Sequence, residues 1–447
     1  MQIYKEYFCN SILCLLLYDW NKMIKINKIW KEQNSDYSYL KAELSFDLGD
    51  ENKWLESVRS FQPILYDRRI FLNLDSQNFV IWYKVPAEYT DYLCTERSDA
   101  FIVACIYFAM VAGLDIHTEI PITSCLKYQL NEQIIPLLCN EKSGFKRIKI
   151  IGDVVGEVKK EKKCVGTGIS CGVDSFSTIL LGLKDTLPKD NVITHLAIFN
   201  TGSLNFYGYE NIKSLGEWRK ETESELEYHI ITGKQVAKEM GLDFISIDTN
   251  IPDLYQGCFL LSHTYRNLSC ILATQKMWGC YYYASAGEDV FNADIRVSTA
   301  SYDALILPNI SLESLKFYVS GFELLRMDKI KIIANNPVVQ KYLNVCSYGK
   351  ENCGKCTKCK RTMLNLDLIG RLYDFRQAFP DMSYYKKYRW KLITTEIREA
   401  KKNDCFGYEM RQYAKQNNIS FGWKSNLYHL TYPLRVLRVW IINLLCK

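Results

Sequence analysis

Four cysteines crowd into one short segment, "CSYGKENCGKCTKCKR": Cys346, Cys353, Cys356 and Cys359, separated by six, two and two residues. Thiolates at that spacing suit a closed tetrahedral Zn²⁺ site, and glycines at 349 and 354 supply the tight turns such a knuckle needs. An iron–sulfur cluster also takes four cysteines and is the alternative. With no open coordination position, the metal would fold a loop and would not activate water.

A second constellation lies in "VGTGISCGVDSFSTIL", residues 165 to 180, where Ser170, Cys171, Gly172, Val173, Asp174 and Ser175 form a corner between an expected strand and an expected helix. The start of a helix carries unpaired N–H groups and a partial positive charge, so a turn of small residues there suits a phosphate, with Ser170 and Ser175 adding hydroxyl donors. It is neither G-x-x-x-x-G-K-[ST] nor G-x-G-x-x-G. The carboxylate of Asp174 would repel phosphate unless a hard cation such as Mg²⁺ lay between them; the plainer reading is a helix cap. Cys171 stands where the turn favours glycine. A positive φ there would cost its Cβ about 1–2 kcal/mol, and a sulfur-carrying thiolate is the sharper reading of the same residue.

These residues need elements to hold them. From Cys164 to about Asp374 the pattern alternates: "KCVGTGI" as strand, a helix from Asp174 to Leu183, "NVITHLAIFN" as strand and "ESELEYHIITGKQVAKEM" as a helix closed by Gly241. "DFISIDTN", "YRNLSCILATQKMWG" and "CYYYASAGED" continue it as strand, helix and strand. This predicts an α/β fold with a doubly wound parallel sheet, whose ligands bind at the carboxyl ends of the strands. Asn200 to Ser203, Asp248 and Gly287 to Asp289 fall at such ends. Arg266, at an expected helix start, is a candidate phosphate or carboxylate ligand beside Asn267, and His263 could face the same edge or be structural.

S-C-G-V-D-S closely resembles the S-G-G-x-D-S pyrophosphate loop of the PP-loop family, the N-type ATP pyrophosphatases. Followed by the cysteine knuckle, it resembles one branch in particular, 7-cyano-7-deazaguanine synthase (QueC); "YRN" at 265–267 is similar to that family's G-R-N, and "SAGED" and "CGKCTKCKR" echo it further. The resemblance implies an adenine nucleotide alpha hydrolase-like sheet, ATP cleavage between the α and β phosphates, and adenylation of a carboxylate such as 7-carboxy-7-deazaguanine. Acyl transfer to ammonia or an amine would follow. It assigns Ser170, Cys171, Gly172, Val173, Asp174, Ser175, Arg266, Asn267 and Gly287 to ATP and its Mg²⁺, with Asp174 and Ser175 catalytic, and the four cysteines to zinc. Cys171 departs from the family loop, and residues 1–160 and the last 70 or so have no family counterpart.

The chain of 447 residues is 48% hydrophobic and 24% charged, enough for a large core and several domains. We expect an α+β accessory domain over 1–160, the PP-loop domain over 161–375 and a basic helical tail over 376–447. In the first zone, "KAELSFDLGD" and "RRIFLNLDSQNFVIWYKVP" read as strands and "RSDAFIVACIYFAMVAGLD" as an apolar helix stopped by Gly113. Seventeen dispersed cysteines and no cleavable leader suggest a reducing, cytoplasmic setting. The apolar run "FCNSILCLLLYDW" is too short to span a bilayer and reads as a buried element. From Thr362 to Lys447, 15 Lys and Arg face 7 Asp and Glu, and the end, "YPLRVLRVWIINLLCK", is apolar with two arginines. Candidate partners are therefore a small carboxylate with ammonia or an amine, a protein or RNA for the N-terminal zone or tail, and a second copy in a homo-oligomer. The expected activity is a carbon–nitrogen ligase forming AMP and pyrophosphate; the alternatives are a PP-loop sulfurtransferase and a non-catalytic nucleotide sensor.

Overall fold

The computed structural model describes residues 22–47, 78–139, 144–158, 164–203, 215–254, 259–286, 298–346, 348–401 and 404–445. The apolar run at residues 8–20 lies outside them. Strands β1 (Met23–Gln33), β2 (Tyr37–Asp47) and β3 (Asn78–Pro86) form an antiparallel meander. Alternation decides it: in β2, Leu40, Ala42, Leu44 and Phe46 are buried while Lys41, Glu43 and Ser45 lie on the half-solvated face. Helix α1 (Asp99–Ala112) buries all 14 residues, as a helix apolar on every side must. Strands β4 (Asp115–Thr118) and β5 (Ile150–Ile151) extend the β1 edge in parallel.

Strand and helix then alternate as β6 (Cys164–Gly168), α2 (Val173–Gly182), β7 (His195–Asn200), α3 (Leu215–Met240), β8 (Asp243–Thr249), α4 (Phe259–Ala273), β9 (Trp278–Ala284), α5 (Asp303–Asn309) and β10 (Lys316–Ser320). Gly113 and Gly241 close α1 and α3 in the left-handed conformation, at φ 74° and 69°. One ten-stranded sheet results, in the order β10-β9-β6-β7-β8-β3-β2-β1-β4-β5. It is mostly parallel, and the fold is α/β.

Within the parallel part the first strand, β6, is central, with β7 and β8 to one side and β9 and β10 to the other. Winding reverses between β6 and β9, and a crevice at that reversal is where such sheets take ligands. Helices α2 and α3 cover one face through Phe176, Ile179 and Val236; α4, α5 and α1 cover the other through Leu268, Ile306 and Phe101.

The sheet runs unbroken across residue 160. Strand β8 pairs antiparallel with β3, Asp248 opposite Lys84 and Thr249 opposite Tyr83. Asn250 fixes that register by accepting from the Trp82 N–H at 2.8 Å and donating to the Val80 carbonyl at 2.8 Å.

The remainder is helical: α6 (Arg326–Ile333), α7 (Pro337–Tyr342), α8 (Thr357–Leu368), α9 (Ser383–Leu392), α10 (Cys405–Gln416), α11 (Gly422–Leu430) and α12 (Tyr432–Leu445). α9 and α10 dock on the α2 face through Tyr385, Leu392 and Met410. α11 and α12 instead turn large apolar side chains to solvent. Among the described residues no helix is long and apolar enough to cross a membrane.

Candidate functional site

Strand β6 ends at Gly168, and the chain must reverse before α2 begins at Val173. It does so through Cys171 at φ 57°, one of two non-glycine residues with positive φ among the described residues. The glycine-favouring position expected there is real, and a cysteine occupies it. Its side chain is buried, and burial pushes the thiol up to about 12. The thiolate reading of Cys171 is thereby disfavoured, since a thiol that stays protonated is a poor nucleophile.

Inside the turn Ser170 Oγ donates to Ser175 Oγ at 3.2 Å, and Ser175 Oγ donates to the Gly172 carbonyl at 3.1 Å. These hydroxyls rigidify the corner from within. The first intrahelical bond runs from the Phe176 N–H to the Gly172 carbonyl, so the N–H groups of Val173, Asp174 and Ser175 are those that an α-helix leaves for an outside acceptor.

Asp174 is not alone at this helix start. Arg326 Nη1 lies 3.0 Å and Lys329 Nζ 3.1 Å from its Oδ1, and Lys329 also donates to the Ser285 carbonyl just beyond β9 at 2.6 Å. The Lys329 side chain is only 1% exposed; burial pushes its ammonium pKa down while Asp174 holds it up. From α8, Lys358 and Arg361 also feel the Asp174 charge, and burial lowers both. Phe406 of α10 lies under the Arg361 guanidinium, 3.7 Å from ring centre to Cζ, with Arg326 at 5.6 Å. The Glu409 carboxyl, raised by burial, is held by the backbone N–H groups of Met327 and Arg326. Two cations thus pair with the Asp174 carboxylate at a helix start, with Lys358 and Arg361 in its field and Glu409 behind them, an arrangement that suits a polyvalent anion.

That arrangement changes the part expected of Mg²⁺. The Asp174 carboxylate already has two protein cations within ion-pair distance, so the positive charge that would reconcile it with phosphate is supplied by Arg326 and Lys329. Sequence reasoning missed all four cations. The available signal was spacing, since Arg326 with Lys329 and Lys358 with Arg361 are both three apart and each pair shares a helix face.

The ligand atoms of Cys346, Cys353, Cys356 and Cys359 lie within 4.8 Å of one another, a set that could hold a metal such as zinc. Thiolates about 2.3 Å from a tetrahedral ion would stand roughly 3.8 Å apart, which this cluster can meet. Cys353 Sγ accepts from the Cys356 N–H at 3.3 Å and Cys356 Sγ from the Cys359 N–H at 3.4 Å. Gly354, at φ 65°, leaves a Cβ no room, because it would fall 2.4 Å from the Asp381 carbonyl oxygen.

The knuckle and the turn are joined. The Asn344 N–H donates to the Cys171 carbonyl at 2.7 Å while Asn344 Oδ1 accepts from the Cys346 N–H at 3.1 Å, and Cys356 caps the helix that carries Lys358 and Arg361. Between them Cys171, Tyr228, His229, Asn344 and Lys350 line a cleft of about 270 Å³.

Arg266 and Asn267 were expected to face the ligand from a helix start. Helix α4 begins seven residues earlier, at Phe259, which places Arg266 in its interior, 2% exposed, donating to the Thr201 carbonyl at 3.0 Å. Asn267 accepts from Thr201 Oγ1 at 2.7 Å and donates to the Tyr283 hydroxyl at 3.0 Å. The network continues to His263, whose Nδ1 is 3.2 Å from that hydroxyl and whose Nε2 is 2.8 Å from Thr299 Oγ1. Burial, with Arg266 adding to it, pushes His263 down to about 4. Both residues therefore brace the carboxyl edge of β7 from within. Gly287, Glu288 and Asp289 lie outside the described residues.

Fold and site together define a doubly wound α/β protein with a cation-lined helix start at its winding reversal and a four-cysteine cluster beside it. No known protein family, characterised protein or solved structure matches the chain.

Proposed function

We propose that this protein is an ATP-dependent carbon–nitrogen ligase of the PP-loop type, similar to QueC, with an adenine nucleotide alpha hydrolase-like parallel sheet and a zinc ion in its cysteine cluster. The observation that carries the reading is the left-handed turn at Cys171 feeding α2, with Arg326 and Lys329 at its mouth, at the point where the sheet reverses. A diphosphate would accept from the N–H groups of Val173, Asp174 and Ser175, and the cations would stabilise the charge that grows as it departs.

In this scheme a substrate carboxylate oxygen attacks the α-phosphorus of ATP, and the bond to the β-phosphate oxygen breaks. Pyrophosphate leaves. Ammonia or an amine then attacks the carbonyl carbon of the acyl-adenylate, AMP departs with the carboxylate oxygen, and the nitrogen releases a proton to solvent. Mg²⁺ would arrive with ATP. The cleft beside Cys171 has room for the acid or the amine.

A second reading has one observation in its favour: the Asp174 carboxylate lies within ion-pair distance of Arg326 and Lys329, which suits a site that binds a nucleotide without turning it over. Sulfur transfer draws no such support, given the buried thiol of Cys171. Pyrophosphate release from ATP, assayed across carboxylic acids with ammonia, tests the proposal. Turnover lost in Asp174→Ala and kept in Cys171→Ala is the expected result; loss in both would favour sulfur chemistry, and tight ATP binding with no release for any acid would favour the sensor.

A further inference from the structure

Helix α10 lies in the part of the chain that has no counterpart in the family the sequence resembles, yet it reaches the cations at the α2 start. Phe406, Glu409, Met410 and Tyr413 follow at intervals of three, one and three residues and so share one helix face. That face meets α6 and α8 together. The Phe406 ring lies 3.7 Å from Arg361 Cζ of α8 and 5.6 Å from Arg326 Cζ of α6, and the Tyr413 ring lies 5.0 Å from Lys331 Nζ of α6. Glu409 takes the N–H groups of Met327 and Arg326 at the start of α6, and Met410 is 2% exposed between these contacts.

The first turn of α10 is fixed where Phe406 projects. Asp404 Oδ1 accepts from the Gly407 N–H at 3.1 Å, and a Cβ on Gly407 would fall 2.4 Å from Ala400 Cβ and 2.5 Å from the Glu396 carbonyl oxygen, so a glycine is what lets this turn approach so closely. The two arginines that the ring meets are held differently. Arg326 is paired with Asp174 at 3.0 Å. Among the described residues no hydrogen bond or ion pair holds Arg361: Asp174 and Asp404 act on it through charge alone, and its close contact is the Phe406 ring. A stacked guanidinium gives its face to the ring and keeps the N–H groups on its edge, the fork that binds a phosphate bidentately. Stacking also restricts the side chain beforehand, which lowers the entropy lost when a ligand arrives.

We propose that Phe406 is a positioning residue of the anion site, holding the Arg361 guanidinium with its N–H fork open to a phosphate oxygen, so that α10 completes the site from beyond the sheet. The inference rests on the diphosphate reading of the α2 start. It separates the parts of the two arginines: Arg326 neutralises Asp174, whereas Arg361 has its hydrogen-bonding edge left for the ligand. A ring that served packing alone could be exchanged for leucine at little cost to binding, because leucine keeps the apolar contact and lacks the negative face.

Titration calorimetry of the full-length protein with inorganic pyrophosphate tests this. Phe406→Leu should weaken binding about tenfold, while Phe406→Tyr, which restores the ring face, should stay within about twofold of wild type. In an Arg361→Gln background Phe406→Leu should cost nothing further, because both changes remove one contact. With no ligand present, Arg361 should react faster with phenylglyoxal in Phe406→Leu than in wild type, read by peptide mapping. Should Phe406→Leu unfold, Phe406→Met is read in its place. Unchanged affinity in Phe406→Leu, independent losses in the double variant, or an Arg361 whose reactivity ignores the ring would overturn the inference and leave the diphosphate reading standing. A wild-type protein that binds no pyrophosphate would instead remove that reading, and this inference with it.

Discussion

Two polar constellations sit at the same carboxyl edge of the sheet, on opposite faces, and they are built differently. On the α2 face Arg326 and Lys329 pair with the Asp174 carboxylate at a helix start, with Lys358 and Arg361 in its field. On the α4 face Thr201, Asn267, Tyr283, His263 and Thr299 join neutral donors to neutral acceptors in a partly buried network. Cations beside N–H groups that a helix start leaves open suit an anion from outside, whereas a satisfied neutral network stiffens the edge on which that anion would rest.

Breaking the first constellation at its support should have the largest effect. Cys356→Ser should take the bound metal from one per chain to nearly none by elemental analysis and destabilise the protein by several kcal/mol, because a structural metal contributes directly to folding. Pyrophosphate binding should fall with it, since Cys356 starts the helix that presents Lys358 and Arg361. Binding that survived would separate the knuckle from the anion site.

Acid should act on the second constellation. Natively His263 is neutral down to about pH 4, whereas the unfolded chain takes up that proton near pH 6.5. The unfolded state therefore binds more protons in this window, and stability present above pH 6.5 is lost as pH falls towards 4, on the order of 3 kcal/mol. Urea unfolding at pH 7.5 and pH 4.5 measures it, and His263→Gln should flatten that part of the profile.

Lys329→Met sharpens the contrast further. It should weaken pyrophosphate binding roughly 10- to 100-fold, about 1.4–2.7 kcal/mol, and flatten its salt dependence while leaving the acid profile of His263 in place. Titration calorimetry at two salt concentrations would show this; an unchanged affinity would remove Lys329 from the site. The smallest effect belongs to Cys171. Relief of its left-handed backbone in Cys171→Gly should raise stability by up to about 1 kcal/mol, with pyrophosphate affinity within twofold, while β-branched Cys171→Val should lose about 2 kcal/mol.

The local elements were legible in the chain because their periods are strong. The buried run of α1, the alternation of β2 and the strand–turn–helix at 164–182 each follow from side-chain spacing alone. The four cysteines were legible for a similar reason, since a ligand set within fourteen residues needs little help from the rest of the fold. Strand order was not. The union of β3 with β8 depends on backbone pairing between residues some 165 apart, where Asn250 makes the decisive contacts. The cations were hidden for the same reason, because α6 and α8 meet Asp174 from more than 150 residues along the chain. The start of α4 was not legible either: Arg266 was expected in its first turn and lies two turns in, buried and donating to the Thr201 carbonyl.

A crystal structure of the protein soaked with pyrophosphate tests the central claim most directly. The diphosphate should lie against the N–H groups of Val173 to Ser175, within hydrogen-bond distance of Arg326 or Lys329, with the Cys171 turn unchanged. A diphosphate held anywhere else, or none at millimolar concentration, would contradict it.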